Sequence, residues 1–505
     1  MAYASARYAV LSTPRSSPLE RARDAAKLTI PGLIPQEGQD EHTVLEQPYQ
    51  SVGVHGVTNL TSRGLLALFP PNVPFYRLAV DADTAKQLGT QLGEANTRLS
   101  DMGGVVYAMF EGQVSRAVLN MALTHLVVGG NALLYQPADG PTRMFRLDQY
   151  VVQRRHSGEF KEIIVREQVF PSVLSDEVRQ ATGLTETTDE KPVELFTVVQ
   201  RRGSNVVHWQ EIKGVEVPGS RGQAPAESCG WLPLRWEAVP GSDYGRGQVT
   251  KYIGDLLSLE DLSQSMVEFA KVAAQIIRIV DPNSGLDVEE LANARSGDWL
   301  TGYADRVQTL GLDKGQDWQV MNALASRLED RLSNAFLLRS SAIRNSERTT
   351  AEEVRMVAEE LETILGGTYT LLSSELQLPL VRRFLYLGAR SGRVPKLPKS
   401  IAVRVVTGFD ALGRTAEVNR LRDALADLTA ALGPGAVERY VNGEEVTKRI
   451  FEGRNVEGIA DLLKTSEQLE ADQQNAATAQ AGQAAAPALA KAGVEAMAQP
   501  QQDIE

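Results

Sequence analysis

Side chains able to do chemistry are few and scattered in this 505-residue chain. Five histidines, His42, His55, His125, His156 and His208, never reach HExxH or similar spacing, which would put two imidazoles on one metal. They read as structural residues. GRGQVT (245–250) carries two glycines in GxG spacing but lacks the third glycine and the preceding strand of a dinucleotide loop. It reads as a flexible loop entering a helix. There is no GxxxxGK[ST] phosphate loop, which argues against a nucleotide-driven motor, and no GxSxG elbow to expose a nucleophilic serine. The adjacent acids Glu352-Glu353 and Glu359-Glu360 resemble the material of an acid/base pair, yet they recur along one long helix as a solvated face does. A single cysteine, Cys229, makes neither a disulfide framework nor a cysteine-based zinc site, so a reducing compartment is expected. The expectation is a protein that is not an enzyme, with no catalytic residue, cofactor or metal.

Two charged features remain. LRSSAIRNSERTT (338–350) joins two long helices and carries Arg339, Arg344 and Arg348 against one acid, Glu347. It is either a plain surface loop with caps or a connection that faces an anionic partner. The helix that follows, AEEVRMVAEELETIL (351–365), holds five Glu against one Arg.

The elements around these features change period along the chain. To about residue 130 the pattern is helical: RARDAAKLTI (21–30) stopped by Pro31 and Pro35, then VGVHGVTNLTSRGLLALF with Val57, Leu60, Gly64, Leu65 and Leu68 on one face. A third helix is expected over 111–128, broken by Gly129-Gly130. From there to about 240, NALLYQP, MFRLDQYVVQRR, EFKEIIVREQVF, ELFTVVQRR and NVVHWQEIKG are short β-branched and aromatic runs between turn clusters. They predict an antiparallel β-rich module with a polar helical insertion near 171–192.

Beyond VPGSDYGRGQ, two long amphipathic helices are predicted. The first covers 248–280, with Leu256, Leu259, Met266, Ala270, Ala273, Ile277 and Val280 inward; the second covers 320–340, with Leu324, Leu328, Leu332 and Phe336 at i, i+4. The Asp- and Gly-rich stretch between them, with Trp299 and Trp318, reads as a small lobe. A third long helix starts at the capping box TAEE, Thr350 to Glu353, and should kink at Gly366-Gly367 and Pro379. Residues 410–470 read as short helices, and 20 of the last 35 residues are Ala or Gln, too few apolar types for a packed core.

Composition narrows the class. At 43% hydrophobic and 23% charged, the chain is ordinary globular protein with length for about three domains. A net charge of -12 argues against gripping nucleic acid over a broad surface, though not against letting it pass. The N-terminal residues form no continuous apolar run, so neither a signal peptide nor an anchor is expected, and no membrane-length apolar stretch occurs.

A series of blocks, in order, resembles one family: LTIPGLIP (28–35), YQSVGVHGVTNLTSRGLLALFP (49–70), LVVGGNALLY (126–135), YVVQR (150–154), SDYGRG (242–247), YIGDLLSLEDL (252–262), SERTTAEEVR (346–355), ELETILGG (360–367) and SSELQLPLVRR (373–383). Together they resemble the head-to-tail connector, or portal, proteins of short-tailed podovirus-type phages. The resemblance implies an α+β, mostly helical fold assembled as a ring of about twelve subunits. Its expected parts are a wing at 1–247, stem helices at 248–280 and 320–340, and a clip at 281–319. A channel loop at 341–349, a kinked helix returning to the wing over 350–409, a crown at 410–470 and a low-complexity tail at 471–505 complete the division. Duplex DNA would pass through the channel during packaging and ejection, with Arg339, Arg344 and Arg348 as candidate DNA-facing residues. Terminase and a tail adaptor would dock on the clip, and scaffold, coat and internal core proteins are further expected partners, without any membrane anchoring. The expected location is the portal vertex of the virion after synthesis in the host bacterial cytoplasm. An acidic channel that repels phosphates would fit passage without static binding. The alternatives are another capsid or adaptor protein, or an unrelated soluble hydrolase built on glutamate pairs.

Overall fold

The computed structural model describes residues 3–450 except 37, 40–41, 72–73, 81–91, 185–190, 275–276, 282, 284–286, 300–302, 304–306, 311–314, 339–350, 366, 396–402, 408, 434–438, 442, 444–445 and 448–449. It is a mixed helix and strand fold, with one compact unit to Leu412 and a second from Gly413.

The first helix, Tyr3–Lys27, starts well before the predicted 21–30 and contains Pro14 and Pro18. Its buried positions Ala4, Tyr8, Leu11, Arg15, Leu19, Ala22 and Ala26 recur every three or four residues, so tertiary burial outweighs the two lost backbone bonds. It ends ahead of Pro31, as the sequence predicts. Helix Val52–Leu68 buries Val57, Leu60 and Leu68, the expected face. The single helix predicted over 111–128 is instead the end of Leu92–Gln113 and a separate helix, Arg116–Gly129. Ser115 divides them, its side chain accepting from the Ala117 amide as an N-cap. Gly130 then takes φ 78, the left-handed turn that lets the chain leave the helix as a strand.

The β-rich region is antiparallel throughout. Strands β4 (Tyr150–Arg154), β5 (Phe160–Val169), β6 (Val193–Arg202), β7 (Asn205–Ile212) and β8 (Val215–Glu216) lie in chain order, with β9 (Gly222–Pro225) also on β7. Asp176–Thr182 is the predicted helical insertion. A second sheet has the order β10-β2-β3, from Trp231–Arg235, Asn131–Tyr135 and Arg143–Phe145. The bridge β11 (Glu237–Ala238) to β12 (Gly245–Arg246) follows, and β1 (Tyr76–Val80) pairs with β15 (Val403–Thr407). Strand β1 is flanked by Pro71, Pro74 and Asp81, but its partner is about 330 residues away, so no local signal marks the pairing.

The first long helix is shorter than predicted. After one turn at Gln248–Lys251 it runs Ile253–Ala273, about 30 Å, and Ile277–Val280 is strand β13, paired with β14 (Val307–Leu310). Ile277 and Val280, read as helical, belong to a β-branched run that finds a cross-strand partner. The second long helix runs Gly315–Ala335, five residues earlier than expected, so Trp318 sits on it and stacks on Phe269 at 5.5 Å. Asp255 pairs with Arg331 at the other end, 2.8 Å, which makes the two helices antiparallel.

The third long helix breaks where predicted. Ala351–Leu365 ends before Gly367, which has φ 91, and Thr368–Leu372 passes through a π-turn, Ser373–Gln377, into Leu378–Arg390 with Pro379 in its first turn. From 409 one helix runs Phe409–Leu432, longer than the short helices expected from 410, while 451–470 lie outside the described residues. No helix among the described residues is long and apolar enough to cross a membrane.

Candidate functional site: the flanks of the arginine segment

Arg339, Arg344 and Arg348 lie outside the described residues, as does the Thr350 cap. Both flanks of their segment are described, and one helix holds both.

On the near flank, Phe336 is fully buried over Gly56, where an added Cβ would stand 2.6 Å from the ring. Glycine at 56 is therefore a packing requirement. The helix Gly315–Ala335 is then terminated by Leu337, a non-glycine residue at φ 58, buried to 3% exposure. A left-handed leucine costs roughly 1–2 kcal/mol. Two contacts offset it: Asn59 Nδ2 donates to the carbonyls of both Phe336 and Leu337, 3.0 Å each, and Gln248 Nε2 donates to Ala335 O at 3.2 Å. Three terminal carbonyls left open by helix geometry thus find side-chain donors.

On the far flank, Ala351–Leu365 buries Val357, Leu361 and Leu365, and Arg63 reaches Glu360 at 3.0 Å. Arg63 Nε also donates to Asn59 Oδ1 at 3.3 Å. Asn59 and Arg63 are therefore one hydrogen-bonded unit that touches both flanks. Among the acids weighed as a dyad, Glu360 is committed to this ion pair, and Glu359 is exposed on the helix surface.

Further along, Glu375 in the π-turn ties that helix to the sheets. It accepts from the Arg235 amide at 3.0 Å and from its guanidinium, and Arg154 lies 3.7 Å away. Arg154 also donates to Gly158 O and Pro233 O, and its amide donates to Asp243 Oδ1. Burial pulls the Arg154 pKa down, and the Glu375 carboxylate opposes that shift.

GRGQVT is corrected from a flexible loop to a packed one. Asn131 Oδ1 accepts from Gly245 N at 2.7 Å and Asn131 Nδ2 donates to Gly245 O at 3.0 Å. A Cβ at Gly247 would stand 2.5 Å from Val128 O, so these glycines permit backbone contact with the Gly129-Gly130 turn. Of the histidines, His42, His55 and His156 are exposed, His208 is half-buried and His125 is buried. Among the described residues no group of three His, Cys, Asp or Glu is placed to hold a metal. The Cys229 thiol is buried, which pushes its pKa up to about 11 and leaves it unreactive.

Sequence reasoning located the arginine segment but missed Asn59, Arg63 and Gln248. Their only signal is polarity on helix surfaces that also carry apolar core residues.

The model of the bacteriophage head to tail connecting protein family matches residues 2–458. The portal protein of Enterobacteria phage T3 is 35% identical over 508 residues, covering 98% of this chain and 94% of its own length. That of Escherichia phage T7 is 34% identical over 475 residues, covering 91% and 88%. That of Pseudomonas phage phiKMV is 31% identical, covering 92% and 93%. With this match spanning nearly the whole described chain, the protein belongs to the bacteriophage head-to-tail connecting protein family.

Proposed function

We propose that this chain is a portal protein of the virion, a ring at one capsid vertex through which duplex DNA enters and leaves. One observation carries the assembly: among the described residues between Leu259 and Ala325, no side chain is buried. Val267, Val272, Ile279, Val288, Trp299 and Val320 are all at least 40% exposed there, Trp299 to 98%. A limb of about 65 residues whose described side chains include none that is buried does not hold its shape alone in water, because burial is what offsets ordering entropy. Copies of the same limb packed side by side in a closed ring would supply the missing cover.

On this reading 1–247 is the wing, 248–280 and 320–340 are the stem, and 281–319 is the clip. The helix from 351 returns the chain to the wing, and the crown begins near 410. The segment with Arg339, Arg344 and Arg348 faces the channel, and Asn59 and Arg63 hold its two described flanks. An acidic subunit keeps DNA from lodging, and a few arginines give local, exchangeable phosphate contacts. The chain performs no catalysis; packaging work comes from a separate ATPase, the terminase, docked on the clip that later receives the tail adaptor. Scaffold, coat and internal core proteins are further partners.

Negative-stain microscopy with native mass spectrometry tests this directly. Rings near twelve subunits with a duplex-wide hole support the reading. A chain that stays a compact monomer even when concentrated would sink it.

A further inference from the structure

A second charged feature lies far from the arginine segment in sequence. Residues 378–400 contain Arg382, Arg383, Arg390, Arg393, Lys396 and Lys399 and not one acid, in a chain of net charge -12. The first four sit on or just past the helix Leu378–Arg390, which packs by Leu380, Val381, Phe384 and Leu387. Arg382 and Arg390 are eight residues apart on that helix, about 12 Å along its axis, and Arg393 lies in the following turn. All three side chains are exposed. None forms an ion pair or side-chain hydrogen bond among the described residues, in contrast to Arg143, Arg166 and Arg221, each set against a glutamate.

Behind this row stands Arg383, a buried cation without a carboxylate partner among the described residues. Its Nη1 donates to Ser228 O at 3.2 Å, and its Nε has no partner. The groups that modulate its charge are Cys229, Tyr135, Tyr386 and the like-charged Arg390. Helix polarity favours cations in the last turn, which accounts for Arg390 and Arg393. It does not account for Arg382, which lies inside the continuous helical run from Thr368, nor for an acid-free run beyond the helix.

We infer that Arg382, Arg390 and Arg393 form a docking strip for the phosphate backbone of duplex DNA, separate from the channel segment. Three exposed, unpaired guanidiniums within about three helical turns and the turn that follows offer several phosphate contacts, and guanidinium forks suit phosphate oxygens. The strip contacts backbone only and reads no sequence. It rests on the portal reading only in expecting DNA nearby.

The test is binding of a fluorescent 20-base-pair duplex to the full-length protein across a salt series, beside the triple variant Arg382→Ala/Arg390→Ala/Arg393→Ala. A control variant, Lys27→Ala/Arg155→Ala/Lys161→Ala, removes the same charge from other exposed positions. The strip variant should weaken binding at least tenfold at low salt and flatten the slope of log affinity against log salt by about 2–3, as expected for three lost phosphate contacts. The control should change both far less. Equal losses in the two variants, no binding by the parent protein, or equal displacement of the duplex by polyglutamate at matched charge would each overturn the strip. Ring formation is scored on the same samples: rings with an inert strip reject this inference alone, and a strip active without rings rejects the conduit alone.

Discussion

Asn59 and Arg63, one turn apart on helix Val52–Leu68, share a hydrogen bond and hold opposite flanks of the arginine segment. Asn59 carries the greater share, since its amide serves two carbonyls at once and is the natural partner for a left-handed Leu337. Replacing it by Ala removes two bonds worth about 1 kcal/mol each, so a loss of about 1–3 kcal/mol in urea unfolding is expected. Asn59→Asp keeps an acceptor for Arg63 but points a carboxylate at carbonyl oxygens. It should cost at least as much; an aspartate variant as stable as the parent would show that donation to those carbonyls is unimportant.

Gly56 sets two effects against each other. Alanine in a helix interior is favoured over glycine by about 1 kcal/mol. Here the new methyl would stand 2.6 Å from Phe336 Cγ and 2.8 Å from its Cβ, atoms that cannot swing aside as a flexible tip does. Overpacking of a full core costs typically 1–3 kcal/mol. Gly56→Ala should therefore lower stability overall, read as a reduced denaturation midpoint with unchanged slope. A higher midpoint would mean the Phe336 seat yields.

The physics of each region decides what its sequence discloses. Strands β4 to β7 were legible because β-branched runs between turn clusters carry their own signal, and Pro31, Gly130 and Gly367 mark boundaries by backbone sterics alone. The N-terminal helix was illegible ahead of residue 21 because Pro14 and Pro18 argue against it locally, and only burial against the sheet outvotes them. Ile277 and Val280 fit a helical spacing and a strand equally well until β14 is present to pair. At the candidate site, the arginines stood out by charge. Their anchors did not, since Asn59 and Gln248 act through carbonyls supplied by residues more than 80 positions away.

Glu375 neutralises a buried pair of arginines, and removing it should be among the most damaging single changes outside the apolar core. Arg235 and Arg154 are 10% and 6% exposed, so Glu375→Ala strands the Arg235 guanidinium and leaves Arg154 with backbone carbonyls but no nearby Glu375 charge. Breaking a buried ion pair from one side costs on the order of 3–5 kcal/mol. Glu375→Gln retains an acceptor oxygen and should cost less. Chemical denaturation separates the two; a glutamine variant as damaged as alanine would place the effect in charge alone.

His125 predicts a distinct acid response. Burial, reinforced by the nearby Arg146 charge and opposed by Asp148, holds its pKa down to about 4 from 6.5. Between those values the unfolded chain takes a proton that the folded one refuses, so stability declines as pH falls from about 6.5 to about 4 and this contribution levels off below. The full loss is on the order of 3 kcal/mol. His125→Gln should flatten this window relative to the parent, whatever its stability at neutral pH. Parallel stability curves for the two proteins across pH 4–7 would remove His125 as the source.

The last prediction concerns Arg344, placed mid-segment between the anchored flanks. If the segment faces passing DNA, Arg344 supplies one exchangeable phosphate contact and nothing to the fold. Arg344→Ala should then leave ring assembly and thermal stability unchanged while altering DNA filling or retention in assembled particles. The effect should shrink as ionic strength rises, because a phosphate contact is a counterion-release contact. Asn59→Ala gives the complementary case: it leaves the arginine in place but loosens its base, so it should disturb both stability and filling. Normal filling and retention with Arg344→Ala, alongside a defect with Asn59→Ala, would mean that the rigidity of the segment matters and its charge at this position does not.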